Sequence, residues 1–175
     1  MTTDCDVLIA GGGPVGTVLA LALQSSGLRV THVDTHDTQG DRPIALSYGS
    51  RLILDPLLHF DRLAHTPIRR IHVSQRGAFG RALMEHVEYN VPALGYVVSH
   101  DALRQSLDAA LARPTLPGRV IAWRHDGDAL CVEIESGAPI RTQLLVLADG
   151  GGARSADTTR ERDYGQAAIV SKIWS

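Results

Sequence analysis

Apolar and polar positions along this chain fall into a succession of short patterns with different spacings. Cys5–Ala10 (CDVLIA) is a continuous apolar run ended by glycines, the pattern of a strand buried on both faces of a parallel sheet. From Pro14 onward Val15, Val18, Leu19, Ala22 and Leu23 recur at helical spacing, and Gly27 stands where a C-cap is expected. Residues 28–34 (LRVTHVD) read as the next strand. Strand, helix and strand within about 30 residues make a βαβ unit, whose crossover is right-handed.

Residues 35–43 are polar and rich in turn formers, a loop on composition. Residues 50–63 carry Leu54, Leu57, Leu58 and Leu63 and predict a helix, with Pro56 at a kink or in the first turn of a second piece. Residues 69–74 alternate weakly and read as a strand, whereas 75–92 show little periodicity and read as irregular. After Gly95 the pattern sharpens. Residues 96–99 are strand-like, and a helix over 101–112 places Leu103, Leu107, Ala110 and Leu111 on one face, with Ser99 or Asp101 as its cap. Residues 119–125 and 129–135 flank Asp126-Gly127, a dipeptide suited to a tight hairpin turn with positive φ at both central positions. Leu130, Val132 and Ile134 alternate with Cys131, Glu133 and Glu135, so that hairpin is expected to be half buried. Further strands are predicted over 140–148 and 167–174. A chain that stops directly after a strand-like run reads as the front part of a longer protein.

Composition narrows the class. The chain has 175 residues, 44% hydrophobic and 21% charged, which fits one ordinary globular domain able to bury about 70% of its unfolded surface without disulfides or a metal. Its formal charge is -2, and no block of like charge suggests nucleic-acid binding. Cys5 and Cys131 sit inside apolar strand-like runs with no signal peptide before them, favouring a reducing, cytoplasmic setting. No run approaches the roughly 20 apolar residues of a membrane span. All but one of the 17 basic residues are Arg, the exception being Lys172, a bias attributed to genome composition.

The candidate chemistry begins at Gly11-Gly12-Gly13-Pro14-Val15-Gly16, a GxGxxG that follows a strand and opens a helix. In that context the first glycine permits the tight turn, the second lets a pyrophosphate approach the backbone, and the third lets helix and strand pack closely. The helix N-terminus offers unpaired N–H groups and partial positive charge to the same pyrophosphate. Asp34 follows at the end of the second strand, where a carboxylate accepts from the ribose hydroxyls of an adenosine. An acid there disfavours a 2′-phosphate, leaving FAD or NAD rather than NADP as the tightly held nucleotide. A simple NAD domain would continue with regular βα units, whereas here an Arg-bearing loop and a β-meander follow. His32, Asp34 and His36 alternate at one strand end, yet no second cluster of metal ligands follows, so no metal site is expected. SYGSR lacks the glycine that a GxSxG hydrolase elbow needs.

Beyond the glycine motif, the chain resembles the N-terminal half of the aromatic-ring-hydroxylating flavoprotein monooxygenases, most closely the ubiquinone-biosynthesis hydroxylases of the 2-polyprenyl-6-methoxyphenol hydroxylase type. The resemblance rests on DVLIAGGGPVGTVLALALQSSGLRVTHVD, on DRPIALSYGS at 41–50, IHVSQRGAFGRALM at 71–84, PALGYVVSHDALRQSL at 92–107, LLVLADG at 144–150 and DYGQAAIV at 163–170. It implies an α/β fold: a Rossmann-like FAD-binding domain with a parallel sheet and a β-meander over 1–66 and 95–162, and the first strands of an incomplete substrate domain over 67–94 and 163–175. It further implies FAD as cofactor, held by Gly11, Gly13, Pro14, Gly16, Asp34, Arg42, His100, Arg104, Asp149 and Gly150. Arg42 would lie against the FAD, although a surface salt bridge is the alternative for it. Asp149-Gly150 would form the second fingerprint, or else a plain strand-terminating turn. His100 begins a helix where relatives often carry Gln, Asn or Arg, and Arg104 stands one turn on. The segment from Gly150 through Arg154 to Arg160 departs from the pattern and looks shortened.

The function implied is hydroxylation of a polyprenylated phenol or quinone precursor with O2, NAD(P)H serving as transient reductant. Catalytic residues are not identified by the resemblance. Peripheral association with the inner membrane face, and a homo-oligomer or biosynthetic complex, are further expectations. Two alternatives stay open: an FAD-binding module without turnover, and another FAD oxidoreductase such as a halogenase or prenyl reductase.

Overall fold

The computed structural model describes residues 2–35, 40–74, 77, 79–135, 137–151 and 162–165. In chain order the elements are β1 (Cys5–Ala10), α1 (Pro14–Leu23), β2 (Val30–Asp34), β3 (Pro43–Ser47), α2 (Tyr48–Leu58), β4 (His65–Ile68), β5 (Arg70–Ser74), β6 (Arg81–Glu85), β7 (Gly95–Ser99), α3 (His100–Ala110), β8 (Leu116–Pro117), β9 (Val120–Asp126), β10 (Ala129–Ile134) and β11 (Ile140–Leu147). The fold is mixed α/β, and it divides into two units. Described residues up to 35 and from 107 onward form the first, and residues 40–106 the second.

The first unit is built on a six-stranded sheet in the order β8-β2-β1-β11-β10-β9. β1 pairs in parallel with both β2 and β11, and β9, β10 and β11 follow one another antiparallel as a meander. A central strand with neighbours on both sides explains why β1 reads as an apolar run, interrupted only by Asp6 near its start. Its side chains split by pleat: Val7 and Ile9 pack with Ala20 and Leu19 of α1, while Leu8 and Ala10 pack on the other face with Val33, Val120 and Val132. Both cysteines are free thiols in this core.

Ion pairing fastens the opposite, N-terminal end of the parallel strands. Asp6 accepts from the Arg29 backbone N–H at 2.8 Å and pairs with its guanidinium at 2.6 Å. The hydrogen bond from the Arg29 side chain, more than any other contact, holds the Asp6 carboxyl below the usual carboxylate range. A lowered pKa stabilises the fold at pH values above the ordinary carboxylate range, and that contribution is lost as pH falls through the folded-state value. Arg29→Met is therefore expected to lower the urea midpoint more at neutral pH than in acid, where only the Arg29 hydrogen bonds to Thr3 and to the Asp4 carbonyl still separate the two chains. A difference between the two chains that persisted unchanged in acid would contradict this.

The second unit holds a three-stranded sheet, β3-β7-β4, and a separate β5-β6 ribbon. Its centre is Phe60, fully buried, with Tyr96 edge-on at 5.4 Å and His65 at 5.2 Å between ring centroids. Arg51 of α2 lies over the Phe60 and Tyr96 rings and donates to the Tyr96 hydroxyl at 2.9 Å and to Asp61 at 2.7 Å. Burial works against its charge, but the Tyr96 hydrogen bond and the charges of Tyr96, Asp61 and Asp55 outweigh it, raising the Arg51 pKa.

Several boundaries differ from those the patterns predict. α1 ends at Leu23, before Gly27, because Gln24 and Ser26 close a turn onto Leu21 and Leu23. Pro56 sits inside α2, which runs Tyr48–Leu58 and ends at His59 with φ 52°, and the helical pattern beyond it is a separate 3-10 turn at Phe60–Arg62. Within the stretch expected to be irregular, Arg81–Glu85 pairs with β5 as a strand. In the β9-β10 hairpin Asp126 pairs with Ala129, so Gly127 and Asp128 make the turn, and of the two only Gly127 has positive φ (64°). That is the form with glycine at its first central position, not the one with positive φ at both. Ser99 is the cap of α3, accepting from the Ala102 N–H at 3.1 Å. The strand predicted over 167–174 lies outside the described residues.

Candidate functional site

β1, β2 and β11 end together at one edge of the first sheet, and the glycine-rich segment turns there into α1. Gly11 adopts φ 111°, where only glycine is comfortable, and a Cβ on it would overlap the Ala148 carbonyl and lie 2.6 Å from the Asp149 Cα. The close approach brings Asp149-Gly150 beside the loop, with Ala148 N–H donating to Ala10 at 2.7 Å. Asp149 caps its own turn by accepting from the Gly151 N–H at 3.0 Å, and Gly150 has φ 71°. A Cβ on Gly16 would overlap the Gly11 carbonyl, so the third glycine is where helix and loop meet. A Cβ on Gly12 would overlap the Asp34 carboxylate, which therefore lies directly against the loop. Around Gly13, in contrast, no atom of the described residues beyond its own chain neighbours lies within 4 Å of the corresponding position.

The loop carbonyls are occupied from within. Thr17 Oγ1 donates to the Gly12 carbonyl at 3.3 Å, and the imidazole of His32 lies 2.9 Å from the Gly11 carbonyl. Both side chains are buried. At the mouth, Gly13 is the N-cap with extended backbone (φ -69°, ψ 170°), no side chain caps the helix, Pro14 opens its first turn, and no acidic residue stands in that turn. The first N–H groups of a helix have no intrahelical partner. Here they join partial positive charge to a gap in the side-chain surface at Gly13, the donor set an anionic diphosphate requires. Asp34, held at the strand end by Gly118 N–H donating to its carbonyl at 2.9 Å, adds a carboxylate acceptor for hydroxyl groups. These residues fit the two halves of an ADP group.

Arg42, His100 and Arg104 belong to the second unit. The Arg42 carbonyl accepts from the His100 N–H at 2.9 Å, and its guanidinium is exposed and makes no ion pair among the described residues. His100 Nδ1 is buried without a hydrogen-bond partner among the described residues, 3.6 Å from Asp101. Arg104 is half-buried one turn further along α3. His36, Arg154 and Arg160 lie outside the described residues.

Residues 4–52 match the family described as FAD binding domain. The resemblance to ubiquinone-biosynthesis hydroxylases extends far past that segment. The chain is 33% identical over 186 residues to ubiquinone hydroxylase UbiL of Rhodospirillum rubrum, covering 96% of this chain and 43% of that protein. It is 32% identical over 165 residues to 3-demethoxyubiquinol 3-hydroxylase of Escherichia coli, covering 85% of this chain and 42% of that protein. It thus spans less than half the length of these relatives. Among solved structures, p-nitrophenol 4-monooxygenase PnpA from Pseudomonas putida superposes with a TM-score of 0.66 at 19% identity, covering 85% of this chain and 42% of that one. That likeness concerns the fold alone, mixed α/β with a parallel-strand sheet and antiparallel sheets.

Gly12, Thr17 and His32 were not among the expected site residues. Gly12 occupies a free position of the motif, and only the crossing of Asp34 over it makes a side chain intolerable. Thr17 does leave a trace, as a polar residue on the face of α1 that carries the buried Ala20 and Leu21, whereas His32 leaves none, since its same-face neighbours on β2 are the half-buried Val30 and Asp34.

Proposed function

We propose that this chain is the FAD-holding front part of a flavoprotein monooxygenase that hydroxylates a polyprenylated phenol. The observation that carries the reading is the glycine loop, whose glycines are crowded at Gly11, Gly12 and Gly16 but open at Gly13, flanked by Asp34 inside a segment matching an FAD binding domain. Along the same chain, similarity to two ubiquinone-pathway hydroxylases supports the substrate class. In this reading residues 1–66 and 95–162 form the FAD domain, and 67–94 and 163–175 begin the substrate domain.

The α1 N-terminus would bind the diphosphate, Asp34 would accept from the ribose hydroxyls, and Arg42, His100, Arg104 and Asp149 would reach toward the rest of the cofactor. When bound, FAD supplies the redox and oxygen-transfer chemistry, and the protein supplies binding, orientation and exclusion of water. The net reaction inserts one oxygen atom of O2 into a ring C–H bond and reduces the other to water, with NAD(P)H as electron donor. A protein carrying this chain, assayed with a polyprenylated phenol and isotopically labelled O2, is expected to place the label in the new hydroxyl group. NAD(P)H oxidation that ignores the phenol, or label found only in water, would overturn the hydroxylase assignment.

A further inference from the structure

We propose that His32 is a positioning residue for the glycine-rich loop, fixing the Gly11 peptide so that its carbonyl points away from the bound diphosphate. The inference rests on the FAD reading above and concerns a residue that neither the motif nor the resemblance singles out.

His32 lies on β2, beside Ile9 of β1, with 8% of its surface exposed. Its Nε2 is 2.9 Å from the Gly11 carbonyl and its Nδ1 3.3 Å from Thr115 Oγ1. A carbonyl oxygen only accepts, so Nε2 must carry the proton. In the neutral ring Nδ1 is then an acceptor, and the Thr115 hydroxyl donates to it. Thr115 stands just before β8, the short strand that pairs with Val33 and Asp34. One segment thereby holds both the end of β2 and the tautomer of the imidazole.

The Gly11 peptide needs this grip. Its N–H donates to Val33 at 2.8 Å, and with φ 111° the residue has the rotational freedom of glycine and no side chain to restrain it. A carbonyl turned toward the mouth of the loop would set a negative dipole against a diphosphate. The buried N–H of His32 favours the inward orientation, as Thr17 does for Gly12. An apolar residue at position 32 would suit the surrounding strand core, but it would leave the Gly11 carbonyl buried without a partner.

The test compares His32→Leu with His32→Gln, whose amide N–H reaches the same distance along the side chain as Nε2. By fluorescence titration His32→Leu is expected to bind FAD about tenfold more weakly, the effect of one buried hydrogen bond, and His32→Gln within about threefold of the wild type. Rescue by glutamine separates positioning of the loop from filling of the core. In the unmodified chain, two-bond nitrogen–proton correlations of the imidazole are expected to show the Nε2–H tautomer. Equal affinity in the leucine variant, failure of glutamine to restore affinity, or an Nδ1–H tautomer would overturn the proposal. If His32→Leu does not fold, the tautomer and the glutamine variant decide. Gly13→Val provides the separation from the FAD reading: if it loses FAD while His32→Leu does not, only the role of His32 fails. If the wild type itself takes up no FAD, that reading fails and the role of His32 toward the diphosphate fails with it, whatever the tautomer.

Discussion

Gly13→Val is expected to abolish flavin binding while leaving the folded chain almost as stable as the wild type. The two effects separate because of what surrounds this glycine. Its backbone is extended, a conformation that valine adopts readily, and among the described residues no atom beyond its chain neighbours lies within 4 Å of the position its Cβ would take. The fold loses only the modest advantage of glycine over valine at an N-cap, about 1 kcal/mol or less. A branched side chain there would fill the gap through which a diphosphate meets the helix N-terminus, weakening FAD by at least about a hundredfold. Gly16→Val should behave differently. Its side chain would overlap the Gly11 carbonyl, so it costs about 1–3 kcal/mol of stability as well as the ligand. Thermal unfolding and flavin titration of both variants check the contrast, and a Gly13→Val chain that binds FAD like the wild type would contradict the role given to the loop.

Asp34→Ala is expected to weaken FAD by about 10- to 100-fold, the range for losing hydrogen bonds to a charged acceptor. The carboxylate lies against Gly12, so it faces the loop. The same variant should narrow the preference for adenosine ligands over those bearing a 2′-phosphate, because the repelling charge is gone. Gly12→Ala tests the geometry from the other side: its methyl group would displace the carboxylate, and affinity should fall without any change in the acid. Unchanged affinity in Asp34→Ala, measured by fluorescence titration, would remove Asp34 from the site.

The parts of this fold that were legible in the sequence are those where one physical constraint dominates. β1 shows as an apolar run because it is central and covered on both faces, and the β9-β10 hairpin shows because one face of it is buried. β6 was missed because among the described residues Arg81–Glu85 pairs only with β5 and is largely exposed, so no burial imprints a period on it. The hairpin turn shifted by one residue because Asp126 continues the ladder and leaves Gly127 to begin the turn. In the site, Gly11, Gly13 and Gly16 were legible as a motif, but their separate reasons were not. Gly11 and Gly16 are required by backbone contacts within the fold, whereas no contact among the described residues requires Gly13. The braces at Thr17 and His32 depend on which carbonyl each side chain meets across elements, and spacing along the chain does not encode that.

The claim that the glycine loop is the diphosphate cradle is tested most directly by following the backbone amides of the chain as FAD is added. The expected result is that the largest saturable shifts fall on Gly13, Val15 and Gly16, at the loop and the first turn of α1. Saturable binding whose shifts lie elsewhere, at the β9-β10 hairpin for example, with the loop amides unmoved, would contradict it.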